Sequence, residues 1–187
     1  MSSFVLHTHG YLEIIIGPMF AGKTTKLVEI YNMCIQNNIS VCVINHVYDD
    51  RYHETMMSTH DKIMVSCIKA KDLNDIINED IYIQSQVILI NESQFFSDLH
   101  ESVITMLQSN KNIYVSGLDG DFQMKKIGHI IDIIPLCDKV TKLTSICSLC
   151  NNGTPGIFSK RITNENTQVV IGSNNYISLC RKCYNIY

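Results

Sequence analysis

The chain has 187 residues, with 15 Lys+Arg against 18 Asp+Glu, a formal net charge of -3, 45% hydrophobic residues and 18% charged ones. That length holds one domain, or one domain carrying a small appendage, and the apolar share excludes wholesale disorder. A mildly acidic chain also lacks the basic footprint of a general nucleic-acid binder.

Residues 1–10 contain neither a basic region nor a sustained apolar stretch, so they do not read as a secretory signal. No run approaches the ~18 apolar residues of a membrane span, and the expectation is a cytoplasmic protein that needs no membrane. Residues 11–16 (YLEIII) form a short apolar run ending at Gly17 and predict a buried strand. Lys23–Gln36 places Leu27, Ile30, Tyr31, Cys34 and Ile35 at helical spacing, and Asn37-Asn38 ends that helix. Residues 41–45 predict the next buried strand, which makes a βαβ unit and implies a parallel sheet. Residues 46–62 are polar and charged without a clear period, the pattern of a long active-site loop. A short helix is predicted over 70–77, an apolar strand over Val87–Asn91, and a helix N-capped by Asp98 and running through Gln108. Asn112–Leu118 predicts another strand, the turn-rich GLDGDF segment follows, and a last sheet strand is predicted over 140–145. Beyond Cys147 the residues are mostly Asn, Gly, Thr and Ser, with strand-like pieces at 156–161 and 167–171. A boundary near Thr144 therefore divides the chain into residues 1–143 and 144–187.

Gly17-Pro18-Met19-Phe20-Ala21-Gly22-Lys23-Thr24 fits G-x-x-x-x-G-K-[ST] and sits between a predicted strand and a predicted helix. The glycines let backbone N–H groups wrap phosphate oxygens, and the helix N-terminus adds its positive dipole end. Lys23 would neutralise the β- and γ-phosphates, and the Thr24 hydroxyl would ligate Mg²⁺. A plain strand–turn–helix has no need of lysine and threonine at those positions. Such enzymes also need a carboxylate at the end of a neighbouring strand. Glu92 is the one carboxylate at the tip of the 87–91 strand, expected beside the phosphate-loop strand, where it could take a proton from an attacking hydroxyl or serve the metal.

Eight cysteines are many for this length. In a reducing compartment they favour metal binding or burial over disulfides. Cys34, Cys42, Cys67 and Cys137 lie among apolar neighbours and read as packing residues. Cys147-Ser-Leu-Cys150 and Cys180-Arg-Lys-Cys183 are two CxxC pairs, separated by residues 151–179. Four thiolates would complete a closed tetrahedral zinc site, structural rather than catalytic, pinning both ends of the segment between them. A redox role is disfavoured because neither pair is expected to open a helix after a strand. His7, His9, His100 and His129 have no partner spacing and read as surface residues. Lys125 and Lys126 read as solvated, and Lys160 and Arg161 are candidates to approach nucleotide phosphates.

The segments GPMFAGKTTKL, VYDDRY, THD, INESQFFSDL, GLDGDFQMKKIG and CSLC…SKR…IGSNNYISLCRKCY follow one another from about Leu12 to Tyr184. In that order they resemble the type II thymidine kinases of the vertebrate cytosol, bacteria and poxviruses, and the compact chain looks most like the poxvirus type. The resemblance implies a P-loop NTPase-type parallel sheet with helices, plus a small C-terminal zinc-binding lasso domain. It also implies ATP-dependent phosphorylation of thymidine, and of deoxyuridine as a lesser substrate, at the 5′-hydroxyl to give dTMP in pyrimidine salvage.

By the same resemblance Glu92 is the catalytic base, with Lys23 assisting. ATP lies on residues 17–24, with Asp49, Asp50 and Arg51 adding contacts and Mg²⁺ at Thr24 and Asn91. The thymine pocket uses Met19, Phe95, Leu118 and Phe122, closed by the lasso backbone of Gln168, Val169, Val170, Ile171 and Gly172, with Tyr176 following. His60 in the THD segment is a second-tier candidate. A homotetramer, with thymidine triphosphate as inhibitor in the lasso site, completes the family picture. Three departures stand out: Asn91 where the family has aspartate, Ile127 where many relatives have phenylalanine, and a longer 151–156 stretch. The missing charge at Asn91 implies weaker Mg²⁺ binding with activity retained.

Two other readings compete for the same residues. A P-loop switch acting on a macromolecule would hydrolyse nucleotide without regard to thymidine, and no N-K-x-D guanine-reading motif is present. A zinc-ribbon nucleic-acid binder would need a basic ribbon. Between Cys147 and Cys183 the only basic residues are Lys160, Arg161, Arg181 and Lys182.

Overall fold

The computed structural model describes residues 4–49, 56–58 and 63–186. The apolar run near the N-terminus becomes strand β1 (Tyr11–Gly17), whose side chains are buried on both faces, as a central parallel strand requires. Helix α1 (Lys23–Gln36) follows the phosphate loop and leads to β2 (Val41–His46). Two short strands, β3 (Met56–Ser58) and β4 (Met64–Ser66), pair antiparallel, and β5 (Ile68–Ala70) joins the main sheet. Helix α2 (Asp80–Gln84), strand β6 (Val87–Asn91), helix α3 (Leu99–Gln108), strand β7 (Asn112–Leu118) and strand β8 (Lys139–Lys142) complete the larger unit.

Six strands form one sheet in the order β5-β2-β6-β7-β1-β8, and every pairing in it is parallel. Alternate residues on each strand face opposite sides, so the sheet has two apolar layers. On one side Ile14, Ile44, Ile90 and Val115 pack with Leu99, Val103 and Met106 of α3. On the other, Ile15, Val43 and Leu89 pack with Leu27, Val28, Ile30 and Cys34 of α1. Each fully buried Leu or Ile side chain stabilises by about 1.5–3 kcal/mol relative to exposure, so these two layers dominate the fold. Glu13 interrupts the apolar run of β1 and is only 6% exposed. Its Oε1 accepts from Thr141 Oγ1 (2.6 Å) and pairs with Lys139 (3.0 Å), which fastens the exposed edge strand β8 to β1.

The C-terminal region has strands β9 (Ser145–Ile146), β10 (Pro155–Gly156), β11 (Phe158–Arg161) and β12 (Tyr176–Leu179), then helix α4 (Arg181–Ile186). β9 pairs with β10, and β11 with β12, both antiparallel. Its own buried cluster holds only Cys147, Leu179 and Cys180. So small a core does not hold a fold by itself, which makes a metal staple physically reasonable.

Several expectations change. The helix predicted over 70–77 is the end of β5 followed by a 3-10 turn at Leu73–Asp75, because after Ala70 only Leu73 and Ile76 are buried there and no longer apolar face exists. The strand predicted over 140–145 divides between β8 and β9, which belong to different sheets. Residues 167–171 form no strand; their backbone is organised by side chains instead. Asp98 does precede α3, but its carboxylate accepts from Asn74 N (2.9 Å) rather than capping the helix. The 87–91 strand is not beside the phosphate-loop strand, since β7 lies between β6 and β1. Cys180 immediately precedes α4 at the end of β12, so one CxxC pair does open a helix after a strand. Among the described residues no helix is long and apolar enough to cross a membrane.

Candidate active site

Because the sheet is parallel, the carboxyl ends of β1, β6 and β7 lie on one edge, and the loops leaving them converge there. Gly22 initiates α1 with φ 80°, a left-handed conformation that suits glycine, and neither a side-chain cap nor an acidic residue occupies the first turn. The first N–H groups of α1 and its positive dipole end therefore face the loop, an anion cradle by construction. Lys23 Nζ lies across this cradle and donates to Pro18 O (2.7 Å).

Glu92 follows β6 with φ 52° and ψ 38°, a left-handed backbone that costs a non-glycine residue about 1–2 kcal/mol. Its surroundings hold it in place. Gln94 Nε2 donates to Glu92 Oε2 (2.7 Å), and Gln94 Oε1 accepts from Leu118 N (3.0 Å) at the end of β7. Gly128, at φ 56°, backs Gln94 so closely that a Cβ there would overlap the Gln94 carbonyl. Strain retained by such a seat is typical of functional positions.

Asn91 is 1% exposed and sits between the phosphate loop and the strand tips. Its Oδ1 accepts from Thr24 Oγ1 and Ser116 Oγ, each at 3.4 Å, and its Nδ2 donates to Asn45 Oδ1 (3.2 Å). Asn45 Nδ2 in turn donates to Asp49 Oδ2 (2.9 Å). Thr24 Oγ1 and Asn91 Oδ1 are hard oxygen donors close together, a set that suits Mg²⁺. His46, at the end of β2, is 2% exposed and packs its ring against Phe95 and Phe96. Its Nδ1 accepts from Tyr48 N (3.1 Å), and burial pushes its pKa below the ordinary value.

Opposite the strand tips, the 162–172 segment closes the site. Gln168 Nε2 donates to Asp121 Oδ2 (2.9 Å) and Lys126 O (3.1 Å), latching this lasso onto the GLDGDF turn. Met19 N of the phosphate loop donates to Ser159 Oγ on β11 (2.9 Å), and Tyr184 on α4 donates to Phe122 O.

One cleft is lined by Met19, Phe20, Ala21, Gly22, Lys23, Thr24, Asp49, Glu92, Phe95, Leu118, Phe122, all five lasso residues from Gln168 to Gly172, and Tyr176. Gly17, Pro18 and Asn91 belong to the same strand tips without lining it. Asp50, Arg51 and His60 lie outside the described residues. Sequence reasoning missed Tyr48, Gln94, Asp121 and Ser159, which also line the cleft. All four stand inside the family-like segments, Tyr48 in VYDDRY, Gln94 in INESQFFSDL, Asp121 in GLDGDFQMKKIG and Ser159 in SKR, so their spacing is visible in the sequence while their partners are not. Lys160 and Arg161 turn away from the phosphate loop's work: Lys160 Nζ lies over the Tyr184 ring and the Arg161 guanidinium is taken up by the lasso.

The four sulfurs of Cys147, Cys150, Cys180 and Cys183 all lie within 4.8 Å of one another, and Cys150 Sγ is 3.8 Å from Cys180 Sγ and 3.5 Å from Cys183 Sγ. Zn–S bonds of about 2.3 Å in a tetrahedron give S···S edges near ~3.8 Å, so the cluster could hold zinc. Backbone N–H groups, that of Cys180 foremost, pull the Cys147 thiol down to about 6, while contact with the Cys150 and Cys180 sulfurs pushes Cys183 up. Four thiols this close could all ionise together only around a cation. Cys34 and Cys42, by contrast, are apolar core residues whose thiols burial raises to about 11.

A phosphate loop, a strained carboxylate across from it and aromatic walls under a closing loop define a P-loop α/β enzyme acting on a nucleotide. Residues 10–184 match the family model described as thymidine kinase. The chain is 38% identical over 177 residues to the thymidine kinase of Sheeppox virus, covering 94% of this chain and 97% of that one. It is also 38% identical over 176 residues to that of Myxoma virus, strain Uriarra (94% and 96% covered), and 35% identical over 178 residues to the cytosolic thymidine kinase of Bos taurus (95% and 73%). A solved structure, domain III of the Thermotoga maritima replication initiation protein DnaA, aligns with TM-score 0.45 at 18% identity over 73% of this chain and 56% of that one. The chain belongs to the thymidine kinase family, and it is an enzyme of that kind.

Proposed function

We propose that the protein transfers the γ-phosphoryl group of ATP to the 5′-hydroxyl of thymidine, giving dTMP and ADP, with deoxyuridine as a lesser substrate. The observation that carries this reading is Glu92, held by Gln94 in a left-handed conformation and lining the same cleft as Lys23, Phe95 and Phe122. Glu92 takes the proton of the 5′-hydroxyl as that oxygen attacks the γ-phosphorus and the bond to the β-bridging oxygen breaks. Lys23 and the first N–H groups of α1 stabilise the charge that develops on the phosphates. Magnesium, when bound, would neutralise the β- and γ-phosphates, and Thr24 and Asn91 would hold it. Asp49, Asp50 and Arg51 complete the nucleotide side. Met19, Phe95, Leu118 and Phe122 take the base between apolar faces, and backbone groups of residues 168–172 read its polar edge.

Residues 1–143 act as the kinase unit and 144–187 as the lasso unit, with structural zinc on the four clustered cysteines. The family resemblance supports a homotetramer, inhibition by thymidine triphosphate, and a cytoplasmic place in pyrimidine salvage. The experiment is direct: incubate the purified protein with Mg-ATP and each nucleoside in turn, and identify the products. Thymidine monophosphate should form fastest, with deoxyuridine slower. ATP hydrolysis indifferent to every nucleoside would overturn the reading in favour of a nucleotide switch.

A further inference from the structure

Arg161, on β11, is the single Lys or Arg buried among the described residues, at 5% exposure. No described carboxylate forms a salt bridge with it. Its hydrogen bonds all go to dipoles, and the exposed Glu165 carboxylate feels its charge without pairing with it. Nη1 donates to the carbonyls of Glu165 (2.9 Å) and Thr167, and Nη2 donates to the Gln168 carbonyl (3.0 Å) and the Tyr176 hydroxyl (2.6 Å). The guanidinium also lies 3.9 Å from the centroid of the Phe122 ring and 5.2 Å from that of Tyr176. Tyr176 passes the anchoring on, since its hydroxyl donates to Val170 O (3.1 Å) and accepts from Val170 N (3.3 Å).

Residues 162–172 contain no strand or helix, so their backbone groups depend on such partners to keep one conformation. The two planar Nη groups suit three converging carbonyls and a hydroxyl, while Nε is buried without a partner; a lysine ammonium offers three donors from one point. The fork is itself mounted firmly. Ser159, two residues earlier on the same face of β11, is bonded to Met19 N of the phosphate loop.

We propose that Arg161 is a positioning residue that pre-forms the nucleoside side of the cleft, winding the lasso backbone around its guanidinium and fixing the face of Phe122. This rests on reading that wall as the nucleoside site. A nucleoside then meets a loop whose ordering cost is already met, so the effect of Arg161 falls on nucleoside affinity and not on the chemical step.

The test compares Arg161→Met, Arg161→Lys and Tyr176→Phe with the unaltered protein in steady-state kinetics, thymidine-binding calorimetry and limited proteolysis of residues 162–172. Arg161→Met should raise the KM and Kd for thymidine about tenfold or more, with kcat and the KM for ATP within about threefold; Arg161→Lys should recover part of the loss. The lasso of Arg161→Met should also be cleaved faster. Unchanged thymidine affinity overturns the proposal, as does a loss confined to kcat. If Arg161→Met does not fold, Tyr176→Phe still decides, because it removes one hydroxyl; thymidine Kd should rise about threefold, and no change overturns the proposal. An unaltered protein that binds no nucleoside refutes the functional reading separately, and unchanged cleavage of the variants would then still refute the role of Arg161.

Discussion

Asn91 shows how one residue's chemistry depends on its neighbours. Its amide uses both ends, accepting from Thr24 and Ser116 through Oδ1 and donating to Asn45 through Nδ2. Asn91→Asp would add a negative charge beside Thr24, but it would replace that donor with a second acceptor facing Asn45 Oδ1. Asp49 lies one hydrogen bond further on. The substitution should therefore lower the Mg²⁺ concentration needed for half-maximal activity while destabilising the protein by about 1–3 kcal/mol, the cost of an unsatisfied buried polar group. Mg²⁺ titration and thermal melts measure both effects, and an unchanged or higher Mg²⁺ requirement would contradict the assignment. His46 makes a pH prediction at the same scale. Burial lowers its pKa below 6.5 in the folded protein, with Asp72 and Glu92 opposing and Lys69 reinforcing the shift. On acidification the unfolded chain takes up the proton first, so this contribution is complete above 6.5 and is lost as pH falls toward the depressed value. Urea unfolding between pH 7 and 5 should show a shallower loss of stability in His46→Gln than in the unaltered protein. Equal slopes would contradict it.

Among the elements, those with a local signal were legible in the sequence. α1, β6 and β7 fall where apolar runs and helical spacing put them, because a parallel strand buried on both faces leaves a continuous apolar run. The β3–β4 hairpin was not legible: its strands are three residues long, too short to show alternation. The lasso was expected to be strand-like from its valines and isoleucine, yet it takes its shape from Arg161 and Gln168, partners that only tertiary structure reveals. The four-cysteine cluster joins the β9–β10 pair to the end of β12, and the lasso runs between β11 and β12. With the proposed zinc on that cluster, a chelator should therefore weaken thymidine affinity about tenfold while the far-UV circular dichroism of the main sheet and ATP binding persist. Full thymidine affinity in metal-free protein would show that the cysteines do not support the loop.

Across the whole molecule, the site arises from one consequence of topology. A parallel sheet puts the ends of β1, β6 and β7 on a single edge, so the phosphate cradle, Glu92 and Leu118 meet although they are distant in sequence. The motifs identified most of the residues in this cleft, because phosphate binding and proton transfer require particular side chains at short spacing. They did not identify what holds those side chains. Gln94 against Glu92, Ser159 against the phosphate loop and β7 between the two functional strands are properties of the packed chain. Everything in the proposed transfer turns on Glu92 as the base, and kinetics of Glu92→Gln alongside separate ATP- and thymidine-binding measurements test that role most directly. The substitution keeps the size and the contact to Gln94 while removing the basic oxygen. It should lower kcat about a thousandfold with both substrates still bound, and a kcat near that of the unaltered protein would contradict the account.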